Sequence, residues 1–599
     1  MSKDVAHSER SLYLRTGRDW TFVTLHPGSV PTGTAVIMCP PFGWEEVSSY
    51  RIRRAWALSL AQAGHGVLRV TLPSTGDSGG QVHDPDRLSA WTESIAQSAA
   101  WLREETGAVR VAAIGLQLGG LLACRAAAVG APIDDLVLWS VGSRGRALVR
   151  QLRAFSRMEN EQFFAGLPAP PPPPEGELEA AGFTLSAETL AALEAADLAE
   201  MELPVPDGRR ALLLDRDGLA ADERLATRLA ELGVAVTRRP GDGYGRMTSH
   251  PQYAELPAAT MATVAEWIGE GATLGGASPR AVPAPPPSAA QLDGPDDEGW
   301  TETPVRIEHD GVAFRGILTQ PGSPDSSGPC AVLLNAGAVR RIGPSRLWVQ
   351  AARRWASRGV ATLRLDVEGI GDADGPAAGF QEDIDFSRDE SVAQVAAALD
   401  FLEDGGIGDR FLLAGLCSGA YWAFLLALDD DRVCAAGMIN CRVLAWQQDL
   451  AASRYVRTLL THRPSPAYIR RILTPAIVMA LIRWLLRAPA RQLQRLRGRR
   501  TGGTSQVDDR LTRLLATGKR VTVLFTEREP LRDELERSGW LARLEAEPAV
   551  TVEHVAVIDH TLRPAWAQDQ LAAALDRALD RELQAAAPAG AISSSSGSA

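Results

Sequence analysis

Residues Phe411–Tyr421, FLLAGLCSGAY, decide how the rest of the chain is read. An apolar run enters Gly415-Leu416-Cys417-Ser418-Gly419, the G-x-C-x-G form of a strand-to-helix elbow. Such a turn is so sharp that the residues two before and two after its tip must lack side chains, hence the glycines on either side of Cys417. The helix that follows aims its N-terminal amides and dipole at the sulfur, which favours thiolate over thiol. A Gly-flanked cysteine after a buried strand also serves plain packing, since free Cys is often buried. What separates the two readings is whether a base, an acid and an oxyanion site fall where the elbow needs them.

Downstream of the elbow the residues run in the order nucleophile, acid, histidine. Val521–Phe525 reads as a late strand, and Thr526-Glu527-Arg528-Glu529-Pro530 leaves its C-terminal end, where loops carry chemistry in parallel sheets. Glu529 is the preferred acid, with Glu527 and Asp533 in reserve. The last strand, Val550–Val557, delivers Ile558-Asp559-His560, and His560 is the expected base. His554 lies within that strand and is read as structural. The oxyanion donors would be the amide of Ser418 and one from the loop Asn335–Val339, with Ala338 the nominated residue. The acid Asp372 is read as a turn cap, because its copy Asp77 sits where no nucleophile exists.

That copy belongs to an internal repeat. Leu68-Arg69 and Gly76-Asp77 recur as Leu363-Arg364 and Gly371-Asp372, all at an offset of 295, and Gln117 pairs with Cys417 at an offset of 300. Strand and helix patterns alternate through both halves, so the chain reads as an α/β protein made by tandem duplication, each copy a mostly parallel sheet with helices on both faces and a helical cap. The expected division is residues 1–270, a Pro/Gly/Ala-rich linker at 271–299, residues 300–584 and a disordered tail at 585–599. In the first copy Gln117 occupies the nucleophile position, and an amide forms no acyl enzyme by the Ser or Cys route. Asp217 and His250 stand near the acid and histidine places as expected remnants; a hydration reaction run by that pair is the alternative.

The elbow, the Gly371-Asp372 loop and Asp559-His560 make the second copy resemble an α/β-hydrolase. More narrowly, both copies resemble the hydrolases that accompany the exosortase A system of exopolysaccharide-producing bacteria. The first copy is similar to their second type through Cys39-Pro40-Pro41-Phe42, Gly115-Leu116-Gln117-Leu118-Gly119 and Ala181-Gly182-Phe183-Thr184-Leu185-Ser186. The second copy is similar to their first type through Gly415-Leu416-Cys417. The resemblance implies ester or thioester chemistry, in exopolysaccharide or natural-product biosynthesis.

Composition sets the limits. The 599 residues exceed one ordinary core, and the 45% hydrophobic and 23% charged content is that of a globular protein. None of the six cysteines forms a C-x-x-C pair, which argues against a zinc site and a disulfide framework; no metal or cofactor is expected, and a reduced cytoplasmic setting fits. The first twenty residues lack a signal-type apolar core, and no run reaches the roughly 18 apolar residues of a spanning helix. Charge is uneven: Arg442–Arg500 holds thirteen Arg, no Lys and one acid, Asp449, on a chain of net charge -11. This basic stretch lies in the expected cap at about 441–506. Few aromatics interleave with its arginines, so nucleic acid is not the expected partner. Arg470, Arg471 and Arg483 are nominated to meet phosphate on a pantetheine arm, a coenzyme A group, an acidic carrier protein or an anionic membrane surface. A cysteine acyl enzyme stays reactive toward amines, thiols and alcohols, so acyltransferase and thioesterase both fit. A dienelactone-type hydrolase of small esters or lactones, and a scaffold without catalysis, are the alternatives.

Overall fold

A computed structural model describes residues 9–29, 33–164, 166–168, 170–204, 208–271, 290–292, 299–323, 328–376, 388–445 and 506–586. Two large sheets contain nearly all of the strands. The first holds β1 (Arg10–Thr16), β2 (Asp19–His26), β3 (Thr34–Cys39), β4 (Gly66–Val70), β5 (Arg110–Leu116), β6 (Asp135–Trp139), β9 (Arg210–Leu214) and β10 (Ala235–Arg239), in the spatial order β1-β2-β4-β3-β5-β6-β9-β10. A small hairpin, β7 (Leu178–Ala180) with β8 (Phe183–Leu185), stands apart from it. The second sheet holds β11 (Ala290–Leu292), β12 (Trp300–His309), β13 (Val312–Pro321), β14 (Cys330–Ala336), β15 (Thr362–Asp366), β16 (Phe411–Leu416), β17 (Val433–Ile439), β18 (Arg520–Thr526) and β19 (Val550–Val555). Its order is β11-β12-β13-β15-β14-β16-β17-β18-β19.

Apart from β11, the second order repeats the first strand for strand. In both sheets the first pairings are antiparallel and the pairings from β4 or β15 onward are parallel. The central parallel strands β5, β6 and β16 are near-continuous apolar runs because both of their faces are covered. In the first copy the helices Trp44–Gln62 and Ala258–Glu270 cover one face, and Arg87–Thr106, Leu118–Ala128 and Glu223–Glu231 cover the other. In the second, Leu347–Ala356 and Ala565–Ala586 face Asp389–Asp404, Ser418–Asp429 and Gln506–Ala516 across the sheet. The β12–β13 hairpin turns on Asp310-Gly311, both at positive φ (50° and 75°), the backbone a two-residue turn needs to match strand twist. The linker region is not wholly without structure, since β11 pairs antiparallel with β12.

The two copies meet across a buried polar interface with approximate two-fold character. Arg69 on β4 pairs with Asp372 at 2.6 Å, and Arg364 on β15 pairs with Asp77 at 2.5 Å, so the repeated Arg and Asp positions exchange partners between copies. Around them Glu9 takes Arg54 at 2.7 Å, and its counterpart Glu302 takes Arg353 at 2.7 Å and the Tyr13 hydroxyl at 2.9 Å. Arg341 bonds Asp366 and Asp372 at 2.7 and 2.8 Å, while Arg340 stacks on Tyr50 at 3.7 Å. Burial alone would raise the Asp372 carboxyl, but Arg69 and Arg341 hold it well below its ordinary range. Asp77 and Asp372 are therefore not turn caps, as their loop setting suggested. They are the charged contacts of an isologous interface built within one chain.

Candidate active site

Strand β16 stops at Leu416 and the helix Ser418–Asp429 starts two residues later, leaving Cys417 alone at the turn with φ 58° and ψ -106°. A non-glycine residue in this region costs of order 1–3 kcal/mol and persists only where its surroundings over-determine it. Two glycines do so: a Cβ on Gly415 would sit 2.2 Å from the Gly419 carbonyl carbon, and one on Gly419 would sit 2.4 Å from the Asn335 oxygen. The elbow is fastened by Cys417 N–H donating to Ile439 O at 2.9 Å and Tyr421 N–H donating to Cys417 O at 3.2 Å. Cys417 is partly exposed, whereas Cys39, Cys124, Cys330 and Cys441 are buried. Burial pushes the thiols of Cys124 and Cys330 up to about 12.

His560 follows β19 in a turn and brings its ring to Glu529, with Nδ1 and Glu529 Oε1 2.7 Å apart. Glu529 is only 4% exposed and also accepts from the Thr526 hydroxyl at 3.2 Å. Cys417 is the other neighbour of the imidazole, close enough for the two side chains to interact. Burial and the charge of Arg442 oppose the imidazolium, yet Cys417 and Glu529 outweigh them and push the His560 pKa up to about 9. The three side chains named from chain order thus converge on one spot.

The reserve acids go elsewhere. Glu527 lies 3.4 Å from His554, and Asp533 sits in the first turn of the helix Pro530–Ser538 with its N–H donating to Glu529 O at 3.3 Å. Asp559, next to His560 in sequence, accepts from the Thr561 hydroxyl at 2.9 Å and from the Arg563 N–H at 2.7 Å, which folds the histidine turn around its carboxylate.

Two bracing residues, Asn440 and Thr526, escaped the sequence reading. Asn440, at φ 47° just past β17, donates from Nδ2 to His560 O at 2.6 Å and to the Thr526 hydroxyl at 3.1 Å, and its Oδ1 accepts from Thr526 N–H at 2.8 Å. It ties the acid strand to the histidine turn. The usable signal was positional: Asn440 directly follows the strand beside the elbow strand, level with Cys417.

Of the oxyanion candidates, Ser418 is the first residue of its helix, where amides have no intrahelical partner. Ala338 lies in the turn closed by Val339 N–H donating to Ala336 O at 3.1 Å, and Ala336 pairs in register with Leu416 of the elbow strand. The first copy presents the same arrangement with its chemistry removed. Gln117 holds φ 48° and ψ -113°, matching Cys417, and its Oε1 accepts from the Phe42 N–H at 3.4 Å. Phe42 lies in the loop that follows β3 as Ala338 lies in the loop that follows β14, so the glutamine oxygen engages the loop beside its own elbow. Asp217 accepts from the Gly243 and Gly245 amides at 2.6 and 2.8 Å, while His250 packs its ring 5.7 Å from Trp44. Asp217 thus holds a turn through both of its carboxylate oxygens.

Arg470, Arg471 and Arg483 lie outside the described residues. Among the described residues no group of His, Cys, Asp and Glu forms a metal cluster, and no helix is long and apolar enough to cross a membrane.

No protein-family model matches the chain, and no curated protein does. Solved structures do. The esterase Est1E of Butyrivibrio proteoclasticus with bound ferulic acid is 18% identical, with a TM-score of 0.31, covering 43% of this chain and 98% of its own. An esterase of Pyrococcus furiosus is 14% identical at TM-score 0.32, over 47% and 92% of the two chains. A lidless serine hydrolase of Xanthomonas campestris is 14% identical at TM-score 0.29, over 45% and 97%. Each spans less than half of this chain. Both copies have the α/β-hydrolase fold. The strand order, the crossover at β3 and β14, and the elbow after β5 and β16 carry that assignment.

Proposed function

We propose that the second copy performs acyl transfer through a covalent Cys417 acyl enzyme, with His560 as proton carrier and Glu529 as its orienting acid. The observation that carries this reading is the placement of one imidazole between a buried carboxylate at 2.7 Å and a cysteine held at positive φ on a strand-to-helix elbow. Cys417 gives its proton to His560, and the resulting thiolate stands beside the imidazolium and the helix N-terminus, both of which favour it. The thiolate attacks the carbonyl of an ester or thioester, and the developing oxyanion takes the amides of Ser418 and Ala338. His560 then protonates the leaving alcohol or thiol as the C–O or C–S bond breaks. An acceptor, water in a thioesterase or an amine, thiol or alcohol in an acyltransferase, gives its proton to His560 and attacks the acyl carbon. The C–S bond breaks and the thiolate is restored.

Arg442, the first arginine of the basic stretch, is near enough for its charge to act on His560. That favours an anionic donor such as an acyl coenzyme A or an acyl carrier, with biosynthesis as the setting. The test is intact-protein mass spectrometry after incubation with acyl coenzyme A, acyl-carrier and simple ester donors, wild type beside Cys417→Ala. An acyl adduct confined to wild type is the expected result. Absence of any adduct, with Cys417 inert to iodoacetamide, refutes the reading in favour of a scaffold.

A further inference from the structure

The first copy, which lacks a nucleophile, reaches into the turn that carries His560. Arg563 links them: its Nη1 bonds Glu159 Oε1 of the first copy at 2.9 Å, its Nε bonds Asp559 at 3.0 Å, and its guanidinium lies 4.6 Å over the ring of Trp44. The β7–β8 hairpin grips the same turn from the side. Its tip, Ala181-Gly182, is at positive φ, and a Cβ on Gly182 would fall 1.9 Å from the Arg563 carbonyl oxygen. Glu179 on that hairpin accepts from the Ala565 N–H at 2.8 Å, capping the helix after the histidine turn, and Ala181 O accepts from the Ser345 hydroxyl at 2.8 Å. Glu159 is only 5% exposed, so this carboxylate is kept in a costly place.

We infer that Glu159 and the β7–β8 hairpin are positioning elements for His560, acting through Arg563 and Asp559, so that the first copy completes the geometry of the second copy's site. The inference rests on the proposed roles of Cys417 and His560. Asp559 uses both oxygens to shape the histidine turn, and Arg563 is anchored at its far end by the first copy. Loosening that anchor lets the imidazole drift from Cys417, and an ångström of misplacement costs up to about a hundredfold in rate. Burial, against the pull of Arg563, pushes the Glu159 carboxyl up to about 7, so a neutral hydrogen-bonding group of the same shape is a fair substitute.

The experiment uses the full chain and follows iodoacetamide alkylation of Cys417 against pH, together with single-turnover acylation by p-nitrophenyl butyrate. Glu159→Ala is expected to slow both reactions at pH 7 roughly tenfold and to move the alkylation profile to higher pH as the thiolate–imidazolium pair weakens. Glu159→Gln restores most of the rate by keeping an acceptor for Arg563. Gly182→Ala, which presses on the same turn without touching the ion pair, is expected to shift the profile in the same direction. Wild-type profiles for Glu159→Ala and Gly182→Ala overturn the inference, as does equal loss in Glu159→Ala and Glu159→Gln with no shift along pH. A wild-type Cys417 that does not alkylate at pH 7, or acylation that survives Cys417→Ala, refutes the proposed site instead.

Discussion

Arg364 and Asp77 lie 2.5 Å apart across the interface between the two copies, the mirror of Arg69 and Asp372 at 2.6 Å. All four are buried, so removing one member strands a charge away from water, at a cost of about 3–5 kcal/mol. Arg364→Met and Asp372→Asn are each expected to lower the urea midpoint by that equivalent. Both copies should unfold in one transition, read by circular dichroism and tryptophan fluorescence together. Two separated transitions in the wild type would show that the copies are stable independently.

Glu529 and Glu527 leave the same strand end, but only Glu529 touches His560. Glu529→Gln keeps the shape and removes the charge that orients the ring. Acyl-enzyme formation should fall about a hundredfold or more. Glu527→Gln should stay within about threefold of wild type. Stopped-flow acylation with an activated ester separates the two.

His560 is held at about 9, above its unfolded value of about 6.5. A group whose folded pKa is raised adds stability that is fully present below the unfolded value and is lost as pH rises through the folded one. The urea midpoint of wild type relative to His560→Gln should therefore be most favourable below about pH 6.5 and shrink between there and about pH 9. In Cys417→Ala the contribution of Cys417 disappears while burial and Arg442 remain. The His560 midpoint, followed by NMR of the ring protons, should fall below its wild-type position.

Gln117 reproduces the elbow conformation of Cys417, so the first copy invites re-arming. Gln117→Cys in a Cys417→Ala background is expected to give a thiol at the elbow but no acyl enzyme. Asp217 is bound to the Gly243 and Gly245 amides, and His250 packs against Trp44. Detection by mass spectrometry of an acyl adduct on the introduced thiol would contradict this account.

The parts of the site that the sequence disclosed are those with local signatures. The flanking glycines of Cys417 report a backbone demand, and Glu529 and His560 follow strands whose apolar runs are plain. Asn440 and Thr526 were not legible, because a polar residue after a strand says nothing about which turn 120 positions away it will bond, as Asn440 bonds His560. Asp77 and Asp372 were seen as a repeat and given the wrong role for the same reason. Their partners lie in the opposite copy, and a repeat shows equivalence without showing that equivalents exchange contacts. Strands β1 and β12 carry no clear signature, since partly exposed strands mix polar and apolar residues.

Because Arg69, Asp77, Arg364 and Asp372 belong to one polypeptide, the mutual grip of the copies does not depend on how much protein is present. A homodimer joined by the same contacts would come apart on dilution and lose the side chains each half lends the other. Here the two halves are permanently at high effective concentration. Specific activity should stay constant down to concentrations at which separate subunits would already have parted.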